Sequence, residues 1–87
     1  MPYQVTFERQ AQKYLADLRD AKLLHRLRNA LAELATDPRS LGSVKLQGAE
    51  ELYRVRVGDY RIVYQIQNAV LVVLVVQIGH RRGIYRQ

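Results

Sequence analysis

The residues of this sequence that could do chemistry are mostly arginines, and they fall in two short segments. Arg54, Arg56 and Arg61 lie in the first segment, and the second, Gly79 to Arg86, reads GHRRGIYR. A guanidinium donates two parallel hydrogen bonds to a phosphate and keeps its charge at every physiological pH. Histidine and tyrosine can transfer protons. These are the groups that RNA cleavage uses, because the reaction builds negative charge on the phosphate and moves a proton at the attacking and the leaving oxygen.

The charge of the chain supports a polyanionic partner. The 87 residues carry a formal net charge of +6, and the last acidic residue is Asp59, after which every charged residue is an arginine. A basic surplus of this kind is typical of proteins that bind nucleic acid, an anionic membrane surface or an acidic protein. Charge alone leaves these three partners open.

Hairpin geometry predicts where the first three arginines point. Gly58-Asp59 is a two-residue loop with glycine first, as a type II′ turn prefers. Side chains alternate along a strand, so Arg54, Arg56 and Arg61 should share one face, and the apolar residues between them should share the other. The alternative interpretations are a solvated polar face for these arginines, a solubilising cluster for Arg81 and Arg82, and a packing role for Tyr85.

The elements that must hold these residues follow the order β-α-α-β-β-β. A strand over residues 3–7 precedes two helices, the first capped by Thr6 and the second by Asp20, and the second helix should end before Asp37-Pro38. Strands are predicted over 52–57, 60–66 and 70–78, the last apolar on both faces and therefore central. We expect one α+β domain over residues 1–87, with a helical hairpin on one face of a small antiparallel sheet and the other face left for function.

Several classes of protein are excluded or disfavoured. The chain has no cysteine and only two histidines, His25 and His80, neither within an acidic cluster, so no metal site is predicted. No glycine-rich nucleotide-binding motif is present, so we expect no cofactor. The longest apolar run, 69–76, is far below the ~20 residues needed to span a bilayer, and the amino terminus is unlike a signal peptide. These features predict a cytoplasmic protein with no membrane partner.

Two segments resemble a known family. YRVRVGDYRIVY, residues 53–64, and GHRRGIYR, residues 79–86, together with KLQG at 45–48 and the order of elements, are similar to the RelE branch of the RelE/ParE toxin superfamily. The resemblance covers essentially the whole chain. It implies the toxin of a type II toxin–antitoxin pair, a metal-independent endoribonuclease (mRNA interferase) that cuts mRNA in the ribosomal A site and inhibits translation.

The resemblance also implies roles for single residues. Arg61 matches the arginine that stabilises the phosphate, Arg81 matches a catalytic arginine, and Tyr85 matches a tyrosine that orients or deprotonates the nucleophile. Arg54 and Arg56 match basic residues that position RNA. Lys45 and Arg82 are expected to add RNA contacts.

The chain departs from the family pattern at three places. Arginines stand at 54 and 56 where some members have lysines, and arginine does not readily release a proton. Gln47 stands where some relatives have a basic residue, and the spacing from Arg81 to Tyr85 is shorter than in some members. These departures motivate the hypothesis that His80, with an unperturbed pKa near 6.5, performs acid–base work.

The implied partners are a cognate RelB-like antitoxin that wraps the basic face as a hetero-oligomer, mRNA in the A site, and ribosomal RNA. Two alternative functions remain open from sequence. One is a ParE-like toxin that poisons DNA gyrase, and the other is an inactive relative that only binds its antitoxin.

Overall fold

The computed structural model describes residues 2–39, 42–46, 48 and 51–80. In chain order its elements are β1 (Gln4–Phe7), α1 (Arg9–Asp17), α2 (Ala21–Thr36), β2 (Val44–Lys45), β3 (Leu52–Val57), β4 (Tyr60–Gln67), a short 3₁₀ helix (Asn68–Val70) and β5 (Val72–His80). The predicted order of strands and helices is confirmed. The structure adds β2, and it starts the last strand at Val72 because the 3₁₀ turn occupies the residues before it.

Local sequence signals set the ends of α2. The Asp20 side chain accepts a hydrogen bond of 3.1 Å from the backbone N–H of Leu23, as an N-cap does. The helix ends at Thr36, before the Asp37-Pro38 pair, as predicted. The cap predicted for α1 is wrong: Thr6 lies inside β1, and Glu8 occupies the N-cap position without a side-chain bond.

The five strands form one mixed sheet in the order β1-β5-β4-β3-β2. Strands β2 to β5 pair antiparallel, whereas β1 pairs parallel with β5. Parallel neighbours need a long crossover connection, and the chain between β1 and β5 provides it. The last strand is interior as predicted, although β4 occupies the middle of the sheet.

The core lies between the two helices and one face of the sheet. A stripe of leucines on α2 is buried there, at the spacing of one face of a helix, and the strands contribute alternate apolar residues. The buried cluster comprises Ala11, Leu23, Leu27, Ala30, Leu31, Leu34, Val55, Val57, Ile62, Tyr64, Ile66, Val73, Val75 and Ile78. Tyr64 is fully buried, and its hydroxyl donates a 2.6 Å hydrogen bond to the carbonyl of Pro38. This bond ties the chain beyond α2 to the middle of the sheet.

Candidate functional site

The β3–β4 hairpin brings three arginines to the sheet face that lies away from the helices. Arg56 pairs directly with Arg61, and Arg54 pairs with Val63. The intervening pair, Val55 and Ile62, is fully buried in the core beneath the helices. Because side chains alternate along a strand, the arginines occupy the opposite face, here called the arginine face. The shared face predicted for the three arginines is confirmed.

Arg56, Arg61 and Gly79 form one row across β3, β4 and β5. Arg61 is only 4% exposed, whereas Arg56 is exposed and Arg54 is half-buried. Gly79 has no side chain, and it is buried opposite Arg61 on the neighbouring strand. The arginine face is therefore less open to solvent than the sequence predicted, because Arg61 and the neighbouring Val63 are buried. The row presents one buried and one solvent-exposed guanidinium.

No acidic residue occupies the arginine face among the residues described for the strands. Besides the arginines, its positions are taken by apolar, amide, hydroxyl and glycine residues: Thr6, Gln4, Val44, Leu52, Val63, Gln65, Gln67, Val72, Leu74, Gln77 and Gly79. Like charges directly opposite one another in a sheet repel. Coulomb interactions strengthen where burial lowers the effective dielectric constant. A phosphate placed between Arg56 and Arg61 would therefore relieve repulsion and gain attraction.

The turn of the hairpin depends on glycine at position 58. Gly58 has a φ of 61°, whereas Asp59 is not among the described non-glycine residues with positive φ. This pattern fits the predicted type II′ turn. A side chain at Gly58 would also meet the guanidinium of Arg26, whose Nη2 lies 3.1 Å from the position of the missing Cβ. Arg26 therefore packs on the turn, and it extends the positive surface from Arg56 onto α2.

His80 lies on the other side of the sheet. It pairs with Tyr60 on β4, and the two rings meet edge to face with centroids 5.2 Å apart. Tyr60 packs against the core on the helix-covered face. Burial raises the pKa of the nearby Tyr14 hydroxyl, and Tyr60 adds to that increase. The structure thus groups His80 with two tyrosines of the helix-covered face and not with the arginine row.

The remaining predicted site residues are distributed as follows. Lys45 is exposed on the edge strand β2, where it pairs with Tyr53, so it lies on the helix-covered side of the sheet. Arg81, Arg82 and Tyr85 lie outside the described residues, as does Gln47. Of the eight site residues predicted from sequence, the described part of the chain brings Arg54, Arg56 and Arg61 together on one face.

Sequence reasoning missed the parts played by Arg26 and Gly79. Nothing local in the sequence indicates the contact of Arg26 with Gly58. Gly79 had a usable signal, because a glycine at the end of an apolar strand often marks a close approach of side chains or ligand. Its position opposite Arg61 becomes clear only from the pairing of β4 with β5.

A metal centre and a membrane-spanning helix are both absent from the described residues. Within them, no group of three or more histidine, cysteine or acidic side chains could hold a metal ion. None of the helices in that part of the chain is long and apolar enough to cross a bilayer. The chemistry that the arginine face offers is the binding of an anion by fixed positive charges that do not exchange protons.

Comparison with known proteins gives consistent results. A family model for the ParE toxin of type II toxin–antitoxin systems, parDE, matches residues 5–85. Toxin RelG of Mycobacterium tuberculosis is 29% identical over 87 residues and aligns over the full length of both chains. The Escherichia coli RelBE toxin–antitoxin complex contains a chain with 29% identity and a TM-score of 0.79, aligned over 90% of this chain and 95% of that one.

A chain in the archaeal RelE–RelB complex of Pyrococcus horikoshii has the same fold, with 29% identity and a TM-score of 0.76 over 93% of this chain and 97% of that one. The family model spans nearly all of the chain, and these relatives carry RelE-type names. The two helices packed on a five-stranded mixed sheet are thus the shared fold. The chain belongs to the ParE toxin family of type II toxin–antitoxin systems and is a RelE-type toxin of the RelE/ParE superfamily.

Proposed function

We propose that this toxin is a ribosome-dependent endoribonuclease that cuts mRNA in the A site and so inhibits translation. The observation that carries the proposal is the pair of directly opposed arginines, Arg56 and Arg61, on a sheet face whose described strand residues include no acidic one. A surface of this kind is unfavourable by itself and favourable around a phosphate. Its RelE-type relatives support the same reading.

The proposed reaction is attack of a ribose 2′-oxygen on the adjacent phosphorus. The bond from phosphorus to the 5′-oxygen of the next nucleotide breaks, leaving a 2′,3′-cyclic phosphate and a 5′-hydroxyl. Arg61 stabilises the negative charge of the pentacoordinate phosphorus, and its burial strengthens that interaction. The more exposed Arg56 and Arg54 hold the flanking phosphates.

The reaction also moves two protons, one from the 2′-hydroxyl and one to the 5′-oxygen. By the family resemblance, Tyr85 orients or deprotonates the 2′-hydroxyl and Arg81 supports charge on the leaving oxygen, while Lys45 and Arg82 contact RNA. His80 is a further candidate for transferring one of these two protons. Its contact with Tyr60 offers a different role, anchoring the end of β5. His80→Ala separates the two: proton transfer predicts that the variant loses one limb of the pH–rate profile, and anchoring predicts an unchanged profile.

The proposed protein partner is a RelB-like antitoxin, by analogy with the complexes of the E. coli and P. horikoshii toxins. An acidic segment laid over the arginine face would neutralise Arg56 and block access of RNA. The association should weaken steeply with salt, because exposed charges are screened beyond about 10 Å at 0.1 M salt. Cytoplasmic action and contacts with ribosomal RNA are parts of the same proposal.

The test is cleavage of a defined mRNA on purified ribosomes, with the 5′ ends mapped by primer extension. Arg61→Ala should lower kcat by about 10²–10³-fold, the cost of removing one preorganised donor from a developing oxyanion. Arg61→Lys keeps the charge and loses the planar fork, so an intermediate loss is expected. Arg28→Ala, which removes an exposed arginine of α2, is the matched control. Full activity of Arg61→Ala would refute the proposal.

Metal independence has its own test, because ribosomes themselves need Mg²⁺. A phosphorothioate is placed at the scissile phosphate, and cleavage is measured with Mg²⁺ alone and with added Mn²⁺ or Cd²⁺. Reaction through arginine predicts no rescue by either soft metal ion. Restoration of the rate by Mn²⁺ or Cd²⁺ would show that a metal ion contacts the phosphate.

A second candidate function is poisoning of DNA gyrase, favoured by the ParE description of the matching family. The two functions separate in a bacterial host that expresses the toxin. Codon-phased cleavage of translated messages supports the endoribonuclease, and supercoiling or DNA-damage defects without such cleavage support the gyrase poison. Normal growth would indicate a relative that only binds its antitoxin.

A further inference from the structure

Within the described residues, β4 pairs with β5 as far as His80, whereas β1 pairs only with its first half. β1 accompanies β5 from Val72 to Val75, and its last contact is a 2.9 Å hydrogen bond from the N–H of Glu8 to the carbonyl of Val75. β5 continues to His80, so on the side of β1 its second half would present unpaired backbone groups. Such groups must find partners if they are buried.

Gln10, in the first turn of α1, takes the place of the missing strand. Its side-chain N–H₂ donates to the carbonyl of Ile78 at 3.1 Å, and its side-chain oxygen accepts from the N–H of Ile78 at 3.1 Å. A carboxamide carries the same donor and acceptor as a peptide group. Gln10 therefore imitates one further residue of β1. We call the two hydrogen bonds between the Gln10 carboxamide and the Ile78 backbone the Gln10 clamp.

A bulge explains why the clamp reaches Ile78. Tyr64 pairs with Val75 and Val63 pairs with Gln77, so Val76 is an extra residue in β5. In a regular strand the backbone groups that face one side recur every second residue. Without the extra residue, the series that includes Val75 would continue at residues 77 and 79. With it, the series continues at Ile78. The polar groups of Ile78 then face α1, while its side chain is fully buried in the core.

The residues beyond the clamp belong to the proposed catalytic site. Gly79 follows Ile78 and sits opposite Arg61, and His80 sits opposite Tyr60. Arg81 is the next residue in the sequence. We propose that Gln10 is a positioning residue: it fixes the end of β5, and with it the placement of Gly79 opposite Arg61, two residues before Arg81 in the sequence. This inference rests on the proposed endoribonuclease function.

The experiment compares Gln10→Ala with Gln12→Ala, since Gln12 is an exposed glutamine of the same helix and its side chain makes no hydrogen bond with the described residues. On programmed ribosomes, well below the melting temperature of each variant, Gln10→Ala should lower kcat by about 10–100-fold, the size of effect that a misplacement near 1 Å produces. KM should change less than about threefold, because the clamp positions groups that stabilise the transition state and not groups that bind the mRNA in its ground state. Gln12→Ala should behave as wild type.

A third variant, Gln10→Glu, adds a pH readout. A protonated carboxyl group can accept from the Ile78 N–H and donate to its carbonyl, whereas a carboxylate can only accept. Its kcat relative to wild type should therefore rise as the pH falls from 8.0 to 5.5, and that of Gln12→Glu should stay flat. A flat ratio for Gln10→Glu together with wild-type kcat for Gln10→Ala would overturn the inference.

Amide hydrogen exchange of Ile78 in the whole toxin distinguishes failure of the clamp from failure of the function. Faster exchange in Gln10→Ala, with reduced kcat, supports the proposal. Unchanged exchange overturns the clamp itself, and faster exchange with normal kcat overturns its link to catalysis. Wild type and Arg61→Ala are assayed alongside: absence of cleavage by wild type, or equal rates for both, would refute the endoribonuclease function and with it the catalytic part of this inference, whatever the exchange result.

Discussion

Replacing Arg56 with glutamine should make the toxin more stable and less active. Arg56 and Arg61 are directly opposed on adjacent strands, and a like-charged pair in that position costs about 0.2–1 kcal/mol. Solvent screens the exposed Arg56, so we expect Arg56→Gln to gain about 0.5 kcal/mol, in the middle of that range. For a chain of 87 residues this raises Tm by about 2–4 °C.

The same substitution removes a charged donor from the proposed phosphate site. A hydrogen bond to a charged group contributes about 1.5–3 kcal/mol, so kcat/KM for mRNA cleavage should fall by roughly 10- to 150-fold. Stability is measured by thermal and urea unfolding, and cleavage on programmed ribosomes. Opposite signs for the two effects are the expected result, as for other residues retained for function at the expense of stability.

Two controls separate the pair interaction from net charge. Arg28→Gln removes the same charge from the exposed face of α2, and it should change Tm by much less than Arg56→Gln. In 1 M salt, where the Debye length is about 3 Å, the gain from Arg56→Gln should largely vanish. A destabilised Arg56→Gln, or an equal gain from Arg28→Gln, would refute the argument that these two arginines repel each other.

Substitutions at three positions test the fold. Tyr64→Phe should lower the free energy of unfolding by about 1–3 kcal/mol in urea titrations, because the Pro38 carbonyl loses its buried partner. Burial raises the pKa of Tyr64, so as the pH rises above the usual value of 10.0 the unfolded chain loses this proton before the folded protein does. The free energy of unfolding of the wild type should therefore fall in that pH range. It should fall less in Tyr64→Phe, which has no proton to lose at this position. Asp20→Ala should cost about 0.5–2 kcal/mol through loss of the α2 cap, seen as a lower urea midpoint. Gly58→Ala should lower the free energy of unfolding by about 1 kcal/mol or more, because Gly58 has a φ of 61°. Adding Arg26→Ala removes the side chain that the new Cβ would meet, and it should not restore the lost stability, because the strain lies in the backbone.

The hairpin that carries the arginines was predictable because its signals are local. Gly58-Asp59 defines a two-residue loop, a two-residue loop defines the register, and the register assigns each side chain to a face. The stripe of leucines and the Asp20 cap of α2 are local in the same sense. For these elements, short-range physics and the final structure agree.

The face occupied by His80 could not be read from the sequence. Regular alternation from Val73 and Val75 would place residues 77 and 79 in the core and His80 on the arginine face. The bulge at Val76 reverses this order. β5 is apolar on both sides around that point, so no pattern of polar and apolar residues reveals the extra residue.

The edge strands were hard to predict for a different reason. β2 has two residues, too few to show an alternation, and its partner is set by a loop closing onto β3. The parallel pairing of β1 with β5 depends on the path of the helices between them. Both are properties of the assembled sheet, and Gln10 is visible as a strand substitute only once that pairing is known.

The pairing of β1 with β5 also determines when the fold is completed during synthesis. Gln10 and Ile78 are separated by 68 positions, and β5 is the last strand in the described part of the chain to be synthesised. The helices and the hairpin can form as the chain emerges, but the contacts between β1 and β5 must wait. A nascent chain would thus carry its arginine hairpin past its own ribosome before the strand that completes the row has reached its place. Under the proposed activity, we expect mRNA cleavage to begin only after β5 has paired with β1.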